Sequence, residues 1–119
     1  MKLLITESQL QTILENFVQL DTDDISEDID IELWENDDYL ELTKILIPQN
    51  KRNWGMGTEV MNRIIQYSEQ TNKPLYLTPD TSFGATSINR LIRFYSKFGF
   101  KKNRDYKVRH SMVRYPTNI

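Results

Sequence analysis

The residues best suited to chemistry form one short stretch, Arg52-Asn53-Trp54-Gly55-Met56-Gly57. It lies between an apolar run ending at Ile47-Pro48 and an amphipathic run opening at Thr58. The first N–H groups of a helix have no partner within the helix, and the helix dipole favours negative charge beside them. Glycine lets backbone approach an anion with no Cβ in the way, and Lys51 and Arg52 add positive charge. The chemistry these residues suit is holding a phosphate. Two glycines spaced two apart also serve simply to cap or kink a chain, so the motif alone leaves both readings open. Other phosphate loops fit worse: there is no Gly-Lys-Ser/Thr of a P-loop and no third glycine of a dinucleotide fingerprint.

Other chemistries are thinly represented. The absence of cysteine removes disulfides, thiolate metal sites and a cysteine nucleophile. Residues 21–30 are rich in carboxylates but lack the glycine and spacing of an EF-hand loop, so no metal is expected. His110 is the only histidine, and a lone histidine late in a chain reads first as structural.

The elements that must position the glycine loop follow from periodicity. Thr6-Glu7-Ser8-Gln9 has the form of a capping box, and Leu10, Ile13, Leu14, Phe17 and Val18 follow at helical spacing, which predicts a helix over about 7–19. Ile29, Ile31 and Leu33 alternate with acids and predict a strand at about 29–35. Asn36-Asp37-Asp38 is turn chemistry, and Tyr39–Ile47 reads as the second arm of a hairpin. Val60, Met61, Ile64 and Ile65 mark the inner face of a helix that Lys73-Pro74 stops. Leu75–Thr78 is a short strand. Ile88, Leu91, Ile92, Tyr95 and Phe98 mark a second amphipathic helix, closed by Gly99. A closing strand is expected at about 106–114. A strand–helix–strand unit needs a crossover that brings its strands parallel. The expected fold is therefore α/β (α+β), with an antiparallel hairpin joined to a parallel pair in one mixed sheet.

The chain of 119 residues suits one domain, with residues 1–28 as a helix and acidic loop and 29–115 as the core. No apolar run approaches the ~20 residues of a membrane span, and the apolar N-terminal stretch is shorter than a secretory signal core. A cytoplasmic protein is expected. The net charge of −2 hides a split: residues 1–43 hold 13 acidic residues and one basic, residues 44–119 hold 14 basic and four acidic. Either two surfaces meet oppositely charged partners, or the halves attract each other across the fold.

Arg52, Gly55 and Gly57, after an apolar strand and opening a helix, resemble motif A of the GNAT acyltransferases. Arg93–Phe100, with an aromatic pair followed by Gly99-Phe100, is similar to the closing helix of that family. The two motifs stand in the right order, and the resemblance covers about 30–115. Leu77-Thr78-Pro79 and the Met112 to Arg114 segment are similar to small GNAT-like proteins of bacteriophages.

The resemblance implies a minimal GNAT fold, two central strands that splay apart, and acetyl-CoA as cosubstrate. It implies that Leu46 and Ile47 offer backbone contacts to the pantetheine, and that the amides of Arg52, Asn53, Trp54, Gly55, Met56, Gly57 and Thr58 hold the pyrophosphate. It implies Glu41 as base for the acceptor amine and Tyr95 as acid for the leaving thiolate; Phe94 has no proton to give. Asn89 lies near a cofactor-contacting asparagine of the family, one residue closer to the tyrosine. Most members carry more structure before the hairpin, so an open acceptor cleft is expected. With the acidic front half, that favours a cationic amine or a lysine-bearing protein as acceptor, with nucleic acid disfavoured. A homodimer is a further possibility the family offers. Two other readings stand: a CoA-binding module or inhibitor without turnover, and a nucleic-acid binder using Lys101, Lys102, Arg104, Lys107 and Arg109.

Overall fold

The computed structural model describes residues 16–48, 55–81 and 87–117. Among these residues, six strands and two helices run in the order β1 (Phe17–Val18), β2 (Asp30–Glu35), β3 (Leu40–Leu46), α1 (Met56–Thr71), β4 (Leu75–Leu77), α2 (Ile88–Ser96), β5 (Lys101–Lys102) and β6 (Met112–Arg114). The strands form one mixed sheet in the order β1-β2-β3-β4-β6-β5. Only β3 and β4 are parallel, and α1 makes the crossover between them.

Alternation sorts the sheet into two faces. Leu40, Leu42, Leu75, Leu77 and Met112 face one way and join Leu33, Tyr95, Phe100 and the α1 residues Val60, Met61 and Ile64 in the main core. Each such aliphatic side chain contributes about 1.5–3 kcal/mol on burial. Tyr76 and Val113 face the other way, with Val108 and Tyr39 against them. α1 needs no more than this one stripe, and its end is fixed by Asn72 in the left-handed region and by Ser68 Oγ donating to the Lys73 carbonyl at 2.6 Å.

The β2–β3 ladder carries one irregularity. Glu32 pairs with Lys44 and Leu33 with Leu42, which leaves Thr43 as an extra residue on β3. Its hydroxyl accepts from Trp34 Nε1 at 3.0 Å and donates to the Glu32 carbonyl at 3.3 Å. A bulge of this kind bends its strand and increases the local twist.

The acidic front half and the basic back half do attract each other. Asp24 pairs with Arg63 on α1, Asp30 with Lys44 at 2.7 Å, and Glu35 with Lys73 at 2.7 Å. The hydrogen bond from Arg63 holds the Asp24 carboxyl below its ordinary range. At Glu35, burial pushes the carboxyl up, but the hydrogen bonds from Lys73 and Tyr67 outweigh it and the net direction is down.

Three expectations from periodicity need correction. Most of the helix expected over 7–19 lies outside the described residues, and its last turn is a strand: Phe17 and Val18 pair with Trp34 and Leu33, with Phe17 edge-on to Trp34 at 5.1 Å. The closing strand is confined to Met112–Arg114. Residues 103–110 form a loop because the Asn103 amide donates to the carbonyls of Asp105, Val108 and His110 at 3.2, 3.0 and 2.8 Å. β5 was not foreseen. No described helix is long and apolar enough to cross a membrane.

Candidate active site

α1 begins at Met56, two residues earlier than the expected opening at Thr58, so Gly57 lies in its first turn rather than in the loop. Gly55 precedes it at φ 76°, a conformation that costs other residues about 1–2 kcal/mol. The N-cap residue, Gly55, has no side chain with which to cap the helix, and its carbonyl accepts from Glu59 N–H at 3.2 Å. Arg52, Asn53 and Trp54 lie outside the described residues. A Cβ added at Gly57 would stand 3.4 Å from Phe94 Cζ and 3.5 Å from Ile47 Cδ1. The first turn of α1 thus meets the end of β3 and the inner face of α2 at one point. Phe94, set aside for want of a proton, is one wall of that junction. Thr58 is exposed and Ile47 half-buried.

The ladder between β3 and β4 runs only from Leu40–Leu42 to Leu75–Leu77. Beyond it, β3 continues to Leu46 while β4 has ended. The bulge at Thr43 begins where the ladder stops. A cleft of about 60 Å³ opens there, lined by Leu42, Thr43, Lys44, Ile45, Leu77, Thr78, Asp80, Leu91 and Tyr95. Leu46 is the last residue of β3, just beyond this lining.

Tyr95 is both a core residue and a wall of the cleft. It is 5% exposed, edge-on to Phe94 and Phe100 at 5.4 and 5.7 Å, and burial pushes its hydroxyl up to about 12. It is therefore a neutral proton donor at any ordinary pH. Asn89 lies in the first turn of α2 and is exposed.

Glu41 points away from Leu40 and Leu42, toward the face that carries Tyr76. Its Oε1 lies 3.1 Å from His110 Nε2, and His110 Nδ1 lies 3.0 Å from Thr78 Oγ1. Thr78 also receives the Ser111 N–H at 3.2 Å. Thr78 lines the cleft, so cleft, hydroxyl, imidazole and carboxylate form one connected series. Sequence reasoning read His110 as structural and gave Thr78 no role. No local pattern marks them, because the loop that delivers His110 is built by the Asn103 side chain.

The residues fit an acyl-CoA: a helix start at a glycine, whose second residue has no room for a large side chain, beside a gap between strands. Among the described residues, no group of three or more His, Asp or Glu side chains could hold a metal ion.

No protein-family model matches the chain, and no curated protein matches it. Among solved structures, the anti-CRISPR protein AcrVA5 is 17% identical, over 70% of this chain and 85% of that one, with a TM-score of 0.58. A putative acetyltransferase of the GNAT family from Bacteroides thetaiotaomicron is 14% identical, over 96% of this chain and 86% of that one, with a TM-score of 0.50. The mixed sheet that parts between its two parallel strands, and these two likenesses of shape, lead to one statement about the molecule: the chain has a GNAT-type fold.

Proposed function

We propose that the chain is an acetyl-CoA-dependent N-acetyltransferase acting on a primary amine, a lysine of a protein or another cationic acceptor. One observation carries the reading: the cleft where β3 and β4 part is lined by Tyr95 and Thr78. A proton donor and the entrance to a carboxylate thus share one opening.

Acetyl-CoA would supply the activated acyl thioester. The amides at the start of α1, with Arg52, Asn53 and Trp54 before them, would hold the pyrophosphate, and the backbone of Leu46 and Ile47 at the end of β3 would orient the pantetheine. Leu77 and Leu91 keep the cleft wall apolar, which strengthens any charge interaction inside it. Glu41 serves the removal of a proton from the amine, and Tyr95 returns one to the leaving sulfur. Positioned acids and bases of this kind contribute about 10²–10⁴-fold each. The exposed acids of residues 21–38 steer a cationic acceptor toward the site, although Asp24, Asp30 and Glu35 are already engaged by basic side chains.

A second reading has the chain bind CoA and a protein partner without turnover. It is favoured by the likeness to an anti-CRISPR protein.

The test is calorimetric titration of acetyl-CoA into wild type and Thr58→Glu, with mass spectrometry of lysine peptides incubated with both. A carboxylate in the first helical turn stabilises the helix by about 0.3–1 kcal/mol, so the variant should fold. Wild type should bind in the micromolar range, on the order of −8 kcal/mol, and Thr58→Glu at least about tenfold more weakly. Equal binding by the variant would refute the placement of the pyrophosphate. Binding without acetylated product would favour the second reading.

A further inference from the structure

We propose that His110 is the base of this site and that Thr78, His110 and Glu41 form a line carrying the amine's proton out of the cleft. The proposal rests on the acyl-transfer reading and changes which residue performs it: Glu41 acts through the imidazole instead of meeting the substrate.

The hydrogen bonds settle a direction. The Glu41 carboxylate only accepts, so the neutral ring carries its hydrogen on Nε2 and donates it to Glu41 Oε1 at 3.1 Å. Nδ1 is then an acceptor and takes the Thr78 hydroxyl hydrogen at 3.0 Å, while Thr78 Oγ1 accepts the Ser111 N–H at 3.2 Å. This is the neutral tautomer with a basic nitrogen toward the cleft and a carboxylate behind it. Such a carboxylate fixes the ring and stabilises the imidazolium that forms. The imidazole is the driest point of the line: Thr78 is exposed, the His110 side chain is 15% exposed and that of Glu41 35%, so water reaches both ends more readily than the middle. Only Thr78 of the three lines the cleft.

The step balances without a further reactant. As the amine nitrogen bonds to the acyl carbon, its proton passes to Thr78 Oγ1 while the Thr78 proton passes to His110 Nδ1. The pair of the broken C–S bond stays on sulfur, which takes the Tyr95 proton. His110 releases its extra proton from Nε2 by way of Glu41 to water, water restores Tyr95, and exchange with water, off Nδ1 and onto Nε2, returns the ring to its starting tautomer. Asn103, which holds the His110 carbonyl at 2.8 Å, is a positioning residue for the line.

The test uses acetyl-CoA and a lysine-containing peptide as probes, with kcat, KM and acetyl-CoA affinity measured for His110→Ala, Thr78→Val and Glu41→Gln. His110→Ala should lower kcat by about 100-fold or more, with acetyl-CoA affinity within about twofold of wild type, and added imidazole should restore part of the rate. Thr78→Val, close to threonine in size, should lower kcat by at least about tenfold and keep the same affinity. Retention of kcat by either variant would overturn the line, as would an acetyl group found on Thr78 during turnover, since the hydroxyl would then be a nucleophile. If Glu41→Gln proves more damaging than His110→Ala, the carboxylate is the base and the proposal fails while the acyl-transfer reading stands. Loss of acetyl-CoA binding in wild type would bring down both.

Discussion

Glu41 and His110 stand 69 positions apart in the chain, yet Oε1 of one lies 3.1 Å from Nε2 of the other. The contact depends on a loop in which one side-chain amide meets three carbonyls. Asn103→Ala removes the donor to three carbonyls, two of them in part-buried bonds. Unpaired buried groups cost about 1–3 kcal/mol. Urea unfolding should show a loss of about 1–2 kcal/mol, and the transferase rate should fall with it. A variant as stable and as active as wild type would mean that the loop is set by other contacts.

Gly57 separates fold from ligand binding. The space beside it admits a methyl group at ordinary contact distance, and alanine is favoured over glycine within a helix by about 0.5–1 kcal/mol. Gly57→Ala should therefore raise the melting temperature. If the backbone there meets a diphosphate, the same variant should bind acetyl-CoA more weakly. A stabilised protein with unchanged affinity would assign Gly57 to packing alone.

The alkaline titration has a definite sign. Tyr67, Tyr76 and Tyr95 each hold their proton to about 12, Tyr67 first by its bond to Glu35, the other two first by burial. A group whose folded pKa is raised stabilises the fold below its unfolded pKa, and that stability is lost as pH climbs through the folded value. Stability should thus decline between about pH 10 and 12. Absorbance at 295 nm should show three late-titrating phenols, and two in Tyr95→Phe. That variant should keep its fold and acetyl-CoA affinity while kcat falls about 10²-fold or more.

The C-terminal segment is held by one carboxylate. Glu69 on α1 accepts from Arg114 Nη1 at 2.8 Å, from the Thr117 N–H at 3.0 Å and from Thr117 Oγ1 at 2.9 Å. Arg114 in turn donates to the Phe98 carbonyl at 2.7 Å. Hydrogen bonds to charged groups contribute about 1.5–3 kcal/mol in favourable cases. Glu69→Ala should lower stability by about 1–3 kcal/mol in urea and speed amide exchange at Val113 and Arg114. Unchanged exchange there would show that the segment is held by the sheet alone.

Periodicity was enough for α1, α2 and the hairpin, because each buries one stripe or one alternating face and the Asn36–Asp38 turn carries its own chemistry. Asn36 Oδ1 does accept from the N–H groups of Asp38 and Tyr39, both at 2.8 Å. It failed at β1 and β5, strands of two residues that exist only through their neighbours. It failed also over residues 103–110, where weak alternation suggested a strand and side-chain hydrogen bonds made a loop. The place of Tyr95 on the inner face of α2 could be read because that helix carries a strong local signal. The Thr78–His110–Glu41 series could not, since it joins three segments that meet only after the sheet has formed.

The extra residue at Thr43 has a consequence for how the chain can vary. On either side of it the inward positions are Leu42 and Ile45, so Thr43 and Lys44 together fill a place that a regular strand gives to one residue. Excising Thr43 would leave every other residue of β3 on its present side and shorten the contour by one link. Such a trimmed chain should melt near the parent temperature and fail to take up acetyl-CoA, because the strand would run straight and close the parting beside β4. Shape for folding and shape for catalysis would then differ by a single deletable peptide unit.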